Sequence, residues 1–399
     1  MGSTQTRREA LNALEVQERR TTMKDRSTDD GSVTVGLDVG DKHSHVCVLD
    51  ATGAVIEESR IRTTVEAVRR RFSGMRATRV ALETGTHSNW IADELSSLHH
   101  EVVVANARKL RAIYQSDRKD DRTDAQMLAR LARADPTLLS PIQPRTASVR
   151  HDLELLRSRA ALVEARTKLV NHARGVAKSA GQRLRTCSAE SFYKLELPPE
   201  LHAALTPVLA VIEAMTAQVR GFDKDVMRLG RDSYPQAGLL RQVPGVGPVT
   251  SLCFVLTLED PARFKKSRDV GAYLGLVPRR AQSGARDPKL RITKAGDRML
   301  RSLLVQNAHY ILGPFGPDCD LRRFGEHIAK GGGKCAKRRA LVAVARKLAV
   351  LLHRLWRSAE VYEPLRTPDK QQRRRTRLAA VTTKQQPQQT SAAAEGCAA

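Results

Sequence analysis

Four acidic residues, Asp38, Glu83, Asp121 and Asp124, occur in settings suited to phosphodiester chemistry. Asp38 lies near the end of an apolar run, Val33-Thr-Val-Gly-Leu-Asp-Val-Gly, and Glu83 near the end of a second, Arg79-Val-Ala-Leu-Glu-Thr-Gly. Each run reads as a buried strand. Asp121 and Asp124 stand three apart in a helical pattern, Asp-Arg-Thr-Asp-Ala-Gln-Met-Leu-Ala, so both carboxylates share one helix face. Two strand-end acids converging with a helical pair would form an oxygen-rich cage suited to Mg²⁺, with Mn²⁺ able to substitute. In a two-metal site, ions about 3.5–4 Å apart activate an attacking oxygen and stabilise a leaving one. The plainer reading is that strand-end acids cap loops, and Asp-x-Gly after a strand also occurs in phosphate-binding ATPase folds. No Gly-rich adenosine motif follows here. Asp117 and Asp120 repeat the same spacing, which leaves the register open. Asp121 and Asp124 are preferred because they continue directly into the apolar helical stripe.

A second group lies far along the chain. Ser283 sits in Gly275-Leu-Val-Pro-Arg-Arg-Ala-Gln-Ser-Gly-Ala-Arg. A serine before glycine is ordinarily a turn residue. Here Arg279, Arg280, Arg286, Lys289, Arg291 and Lys294 surround it, and such cations lower the cost of a phosphate transition state. It lacks a local base, and a hydroxyl near neutral pH needs a base or a metal to act as a nucleophile. Pro244-Gly-Val-Gly-Pro resembles the turn of a helix–hairpin–helix element, in which amides at Gly245 and Gly247 would bind a phosphate without reading bases. The plainer reading is a tight interhelical turn. His43, His45 and His87 are read as polar neighbours of the acids.

The elements that must position these groups follow from hydrophobic periodicity. Strands are expected at 33–37, 45–49 and 54–60, then a helix at 64–75, the strand ending at Glu83, a helix at 89–98 and a strand at 102–105. That order is the order of an α/β RNase H-like (RuvC-like) domain, spanning 32–145. Two long amphipathic stretches, near 148–180 and 199–229, predict an antiparallel helical hairpin within 146–235, either a coiled-coil hairpin or part of a simple bundle. A mainly α C-terminal domain follows at 236–362, with helices expected at 298–312 and 337–356. The arm at 1–31 and the basic, Gln-rich tail at 363–399 carry too little apolar content to fold.

Composition narrows the partner. Lys and Arg total 68 against 43 Asp and Glu, a formal charge of +25, so a polyanion is expected and nucleic acid comes first. No apolar stretch is expected to reach the roughly 18–20 residues of a spanning helix, and no secretory signal is read at the N-terminus. Six cysteines without CxxC pairing argue for reduced thiols in a cytoplasmic setting and against a zinc site. Aromatic content of 4% does not indicate a base-stacking platform.

Taken in order, Gly36-Leu-Asp-Val-Gly, Ala81-Leu-Glu-Thr-Gly, Lys119-Asp-Asp-Arg-Thr-Asp-Ala, Val243-Pro-Gly-Val-Gly-Pro, Tyr273-Leu-Gly-Leu-Val-Pro, Ser283-Gly and Arg291-Ile-Thr-Lys-Ala-Gly-Asp-Arg resemble one family. It is that of the RuvC-like DEDD transposases of bacterial insertion sequences, the "IS one-ten" group. The resemblance spans Val33 to Trp356. It implies catalytic, metal-holding roles for Asp38, Glu83, Asp121 and Asp124, and a nucleophilic role for Ser283. It further implies a serine–DNA covalent intermediate, donor and target DNA as partners, a structured bridge RNA as guide, and a homo-oligomer, dimer to tetramer. Active sites would combine domains of different subunits. Gln282 stands where many relatives carry a second serine. Two rival functions remain at this level: a junction-resolving endonuclease using water as nucleophile, and a non-catalytic nucleic-acid-binding protein.

Overall fold

Alternation along the first strands explains how they pack. In the computed structural model, which describes residues 33–110, 120–284, 286–288 and 290–366, strand β1 spans Thr34–Val39, β2 His43–Leu49, β3 Val55–Arg62, β4 Arg79–Glu83 and β5 Glu101–Ala105. They form a single mixed sheet in the order β3-β2-β1-β4-β5. β1 pairs antiparallel with β2 and parallel with β4, while β3 and β5 close the edges. Val35, Leu37, Val46, Val48, Val80 and Leu82 face helices α1 (Val65–Phe72) and α2 (Ser88–Ser97), burying Phe72, Ile91 and Leu95. The other face presents small residues, among them Cys47 and Ala81, to helix α3 (Asp121–Ala134) through Ala125, Ala129 and Ala132. A period of two on the strands thus loads large side chains on one face and small ones on the other.

That asymmetry lets α3 lie close to the sheet. A Cβ at Gly36 would overlap the Ala125 carbonyl oxygen and approach the Ala129 nitrogen within 2.6 Å. The helix runs antiparallel to β1. Its last turn is held where the strand begins, by Arg79 Nη1 donating to the Ala132 carbonyl at 3.2 Å. Its first turn is held by an Arg122–Glu58 ion pair to β3. Asp120 caps the N-terminus by accepting from Arg122 N at 3.4 Å. Asp120 therefore serves the helix backbone, and Asp117 lies outside the described residues.

The chain divides into two compact units, the first ending at Pro144. In the second, α4 (Ala147–Ser179) and α5 (His202–Asp232) form a long antiparallel hairpin. The buried positions of α5, Leu205, Leu209, Ile212, Thr216 and Val219, recur at alternating steps of four and three. Arg166 is buried between the helices, its Nη1 donating to Thr216 Oγ1 at 3.2 Å. Helix α5 also holds a window long and apolar enough to cross a membrane by length and composition, where no such stretch was expected. Leu205, Leu209 and Ile212 in fact pack with Val170, Ala173 and Phe192 at the hairpin's far end.

The near end of the hairpin shares a core with the C-terminal helices. Val149, Leu153, Leu156 and Val226 join α6 (Gln236–Leu240) and α7 (Pro248–Leu258), which is buried from Thr250 to Leu258. Around it lie α8 (Asp269–Tyr273), α9 (Arg298–Leu312), α10 (Asp320–Ala329) and α11 (Gly333–Ser358). Helix α11 begins earlier than the expected 337 because Gly332 and Gly333, both at positive φ, turn the chain into it. The fold extends past 362, where the Pro364 carbonyl accepts from Asp320 N at 2.8 Å. The expected arm at 1–31 and the tail from 367 onward lie outside the described residues.

His353 fastens α11 from within. It is fully buried, with Nδ1 2.9 Å from Ser267 Oγ and Nε2 2.9 Å from the Pro261 carbonyl. Burial holds its pKa below the ordinary 6.5, and nearby Arg357 adds to the effect.

Two outcomes follow. Gly36→Ala should lower the stability of the first unit by about 3 kcal/mol, because backbone rather than a flexible side chain must move; urea unfolding followed by circular dichroism measures this. For His353, the unfolded chain takes up the proton first as pH falls, so the stability it contributes is complete above about pH 6.5 and is lost on acidification. The drop in unfolding midpoint between about pH 7 and about pH 5 should be smaller in His353→Gln than in the natural chain.

Candidate active site

The carboxylates are placed by the sheet and by α3. On β1, Gly36 faces α3, so Asp38, two residues on, points to the same side. On β4, Ala81 packs on the α3 side and Glu83 follows it by two. Leu37 and Leu82 are register partners, so one further step sets Asp38 beside Glu83 on neighbouring parallel strands. Asp38 also pairs in register with His45 on β2, and His45 Nε2 lies 3.8 Å from Asp121 Oδ2. Asp121 and Asp124 form the acidic first turn of α3, where they also complement the positive end of the helix. All four acids therefore stand at one end of the sheet, on its α3 side.

Their donor set is oxygen only, which fits a hard divalent cation. Among the described residues, however, no three His, Cys, Asp or Glu side chains are drawn close enough to hold one ion together. The acids occupy a rim, with Asp121 exposed and Asp38, Glu83 and Asp124 half-exposed. The fit is thus one of chemistry and placement, with the four acids spread along an open edge. Of the histidines, His45 has a defined partner in Asp121, whereas periodicity had marked it only as a neighbour. His87 accepts from Trp90 Nε1 at 3.1 Å on Nδ1 and turns Nε2 toward Asp41, 3.6 Å away. His43 is held below its ordinary 6.5 by burial first, then by Arg60 and Arg62. The Cys47 thiol beneath α3 is pushed up to about 11, mainly by burial, which removes it as a nucleophile.

Ser283 occupies an exposed hairpin tip. Ser283 N donates to the Arg286 carbonyl at 3.1 Å, and Arg286 N returns a bond to the Ser283 carbonyl at 3.0 Å. Lower down, Arg279 N donates to the Arg291 carbonyl and Pro278 faces Ile292. Arg279, Arg280, Arg286, Arg291 and Lys294 are exposed along this hairpin; Lys289 lies outside the described residues.

The hairpin root is tightly crossed. Gly275 at φ +69 and Gly296 at φ +72 allow backbone contacts with Ala295 and Tyr273 that a Cβ would obstruct. Arg301 Nη1 then donates to the carbonyls of Leu274, Ala295 and Asp297 at 3.2, 2.9 and 3.4 Å. Its role was not read from periodicity, although the run Thr293-Lys-Ala-Gly-Asp-Arg marks where the root would lie. Gly245, at φ +85, turns the chain between α6 and α7 against the Tyr310 ring, and Gly247 caps α7.

Comparison with known proteins joins the two halves. Residues 35–180 match the profile of the DEDD transposases named for IS110, and residues 237–317 match that of the transposase IS116/IS110/IS902 family. The transposase of insertion element IS1328 from Yersinia enterocolitica is 29% identical over 69% of this chain and 82% of its own. The y4pF/y4sB transposase of Sinorhizobium fredii is 30% identical over 71% of this chain and 74% of its own. The chain belongs to the IS110 transposase family. The pilin gene-inverting protein of Moraxella bovis is 25% identical over 70% of this chain and 80% of its own length. The first IS110 match contains all four carboxylates, and the second contains Gly245, Gly247, the Ser283 hairpin and Arg301.

The crossed root gives a measurable consequence. Arg301→Ala removes the guanidinium from the Leu274 and Ala295 carbonyls, while the Asp297 carbonyl keeps the backbone N–H of residue 301, and should cost about 1–3 kcal/mol of local order. Limited trypsin digestion at Arg279, Arg280 and Arg291 should then run about tenfold faster, since about 1.4 kcal/mol is a factor of ten in the open population.

Proposed function

We propose that this insertion-sequence transposase cuts and rejoins DNA through a covalent serine–DNA intermediate. The observation that carries the reading is the placement of Asp38, Glu83, Asp121 and Asp124 at one end of the sheet on a single side. The strand order, antiparallel for β3-β2-β1 and parallel for β1-β4-β5, supports an RNase H-like (RuvC-like) fold. Buried positions stepping by four and three support a coiled coil in α5.

In this reading the four carboxylates hold Mg²⁺, or Mn²⁺ in its place. When bound, the metal supplies charge stabilisation at the scissile phosphate. Ser283 Oγ would attack phosphorus and give up its proton, the P–O bond to a deoxyribose oxygen would break, and that oxygen would take up a proton to leave as a hydroxyl. Attack by a hydroxyl of another strand on the serine phosphodiester reverses these steps, releasing Ser283 and rejoining DNA. Arg279, Arg280, Arg286, Lys289, Arg291 and Lys294 neutralise the phosphate, and Gly245 and Gly247 contact backbone phosphate. Exposure of Ser283 at a hairpin tip supports access to DNA, as a closed pocket would not. The proposal extends to donor and target DNA, a bridge RNA as guide, a dimer-to-tetramer assembly whose subunits share active sites, and a cytoplasmic setting. The Moraxella relative, an inverter of a pilin gene by name, favours a rejoining recombinase over a resolving nuclease.

Recombination between donor and target plasmids should fall about a thousandfold or more in both Ser283→Ala and Asp38→Asn. A protein–DNA adduct surviving denaturation should form with the natural chain and be absent in Ser283→Ala. Cutting by Ser283→Ala at the natural rate would instead establish water as the nucleophile.

A further inference from the structure

Between the Ser283 hairpin and helix α11 runs a groove of about 920 Å³ within the second unit. Arg279, Arg280, Arg291 and Lys294 line it from the hairpin, Arg338, Arg339, Arg346 and Lys347 from α11, and Arg268 from the preceding loop. Among the described residues, these nine cations meet one lining carboxylate, Asp287. The floor is apolar, with Leu276, Ile292, Phe324 and Val342.

A basic helix face is usually just solvated. Two features distinguish this one. First, the arginines of α11 alternate with apolar residues on the groove side: Arg339, Val342, Ala343, Arg346 and Val350 recur at helical spacing. Second, the cations are held around apolar surface. The Arg346 stem packs across Gly271, its Cγ only 3.0 Å from where a Cβ would stand, and Leu290 is 39% exposed among arginines. A ligand that satisfies both must carry regular negative charge and apolar rings or sugars together.

The volume limits its form. Pockets of about 300–1,000 Å³ enclose drug-sized molecules, so this one has room for about two or three nucleotides. A duplex presents phosphates outward and stacks its bases inside, so it could touch the cationic rim but not the floor. An unpaired strand can do both. Lys347 Nζ lies 3.8 Å from the Phe324 ring centroid, so that ring face already meets a cation and offers no stacking platform. Recognition would then be independent of base identity.

We propose that this groove holds an unpaired nucleic-acid strand of two or three nucleotides, with phosphates on the arginine rim and sugars and base edges on the apolar floor. Its place in the reaction, retaining the strand next to the one joined to Ser283, rests on the serine reading above; the binding itself does not.

The test is fluorescence anisotropy of the full chain with labelled oligo-dT, oligo-rU and a duplex of equal length, across a salt series. Arg339→Ala/Arg346→Ala should weaken binding of the unpaired strand about tenfold or more, and reduce the salt slope by about 0.7 per cation removed. The Arg339→Lys/Arg346→Lys variant should restore that slope, which a folding defect would not permit. Leu290→Asn should weaken the unpaired strand several-fold with the slope unchanged. Preference between oligo-dT and oligo-rU identifies DNA or RNA as the occupant. Equal losses for duplex and single strand, displacement by polyglutamate as readily as by oligonucleotide, or natural affinity in both alanine and asparagine variants would overturn the proposal. Adduct formation by the natural chain, scored separately, reports on Ser283 whatever the groove does.

Discussion

The absence of a side chain at Gly36 sets how the first unit is built. Helix α3 crosses β1 with the Ala125 carbonyl where a Cβ would otherwise be. Alanines at 125, 129 and 132 continue that close approach, and the large apolar residues are displaced to the opposite face with α1 and α2. Antiparallel to β1, the helix brings its acidic first turn to the strand end that bears Asp38. A helix held farther off by a larger residue would still be a stable layer, but Asp121 would no longer stand 3.8 Å from His45. Close packing here decides where charge is placed.

A related solution appears in the second unit with different parts. The Ser283 hairpin has few cross-strand hydrogen bonds and its tip is exposed. An isolated two-stranded hairpin is marginally stable in water. Order is supplied at the root, where Gly275 and Gly296 let two backbones cross and one guanidinium gathers three carbonyls. Ser283 is thereby presented at an exposed tip from an anchored base.

Much of this was legible in the residues, and the gaps have physical causes. The strands around Asp38 and Glu83 were readable because alternation and apolar runs report burial locally. The helix at 298–312 was recovered with the same bounds, since Asp297 caps it and Gly313 ends it. The hairpin bearing Ser283 was read only as a basic, Gly-rich stretch because it lacks an apolar period of two; its shape comes from glycine crossings and from Arg301. The His45–Asp121 pairing was equally invisible, as it joins residues 76 apart in sequence through the sheet register. No stretch of spanning length was expected, yet α5 holds one by length and composition; its Leu205, Leu209 and Ile212 pack with α4 and Phe192. Placement of the acids on one side was readable; their spacing along an open rim was not.

Charge is distributed unevenly along the chain. Four carboxylates at one sheet end repel one another, and cations must offset that cost when they converge on a phosphate. Among the described residues, nine cations and a single carboxylate line one groove of the second unit. A chain of net charge +25 attracts nucleic acid wherever it is basic, but a carboxylate rim repels phosphate unless a divalent cation lies between them. In the proposed reading the cations would bring the phosphodiester and the carboxylates would admit it only with metal, which would separate binding DNA from cutting it.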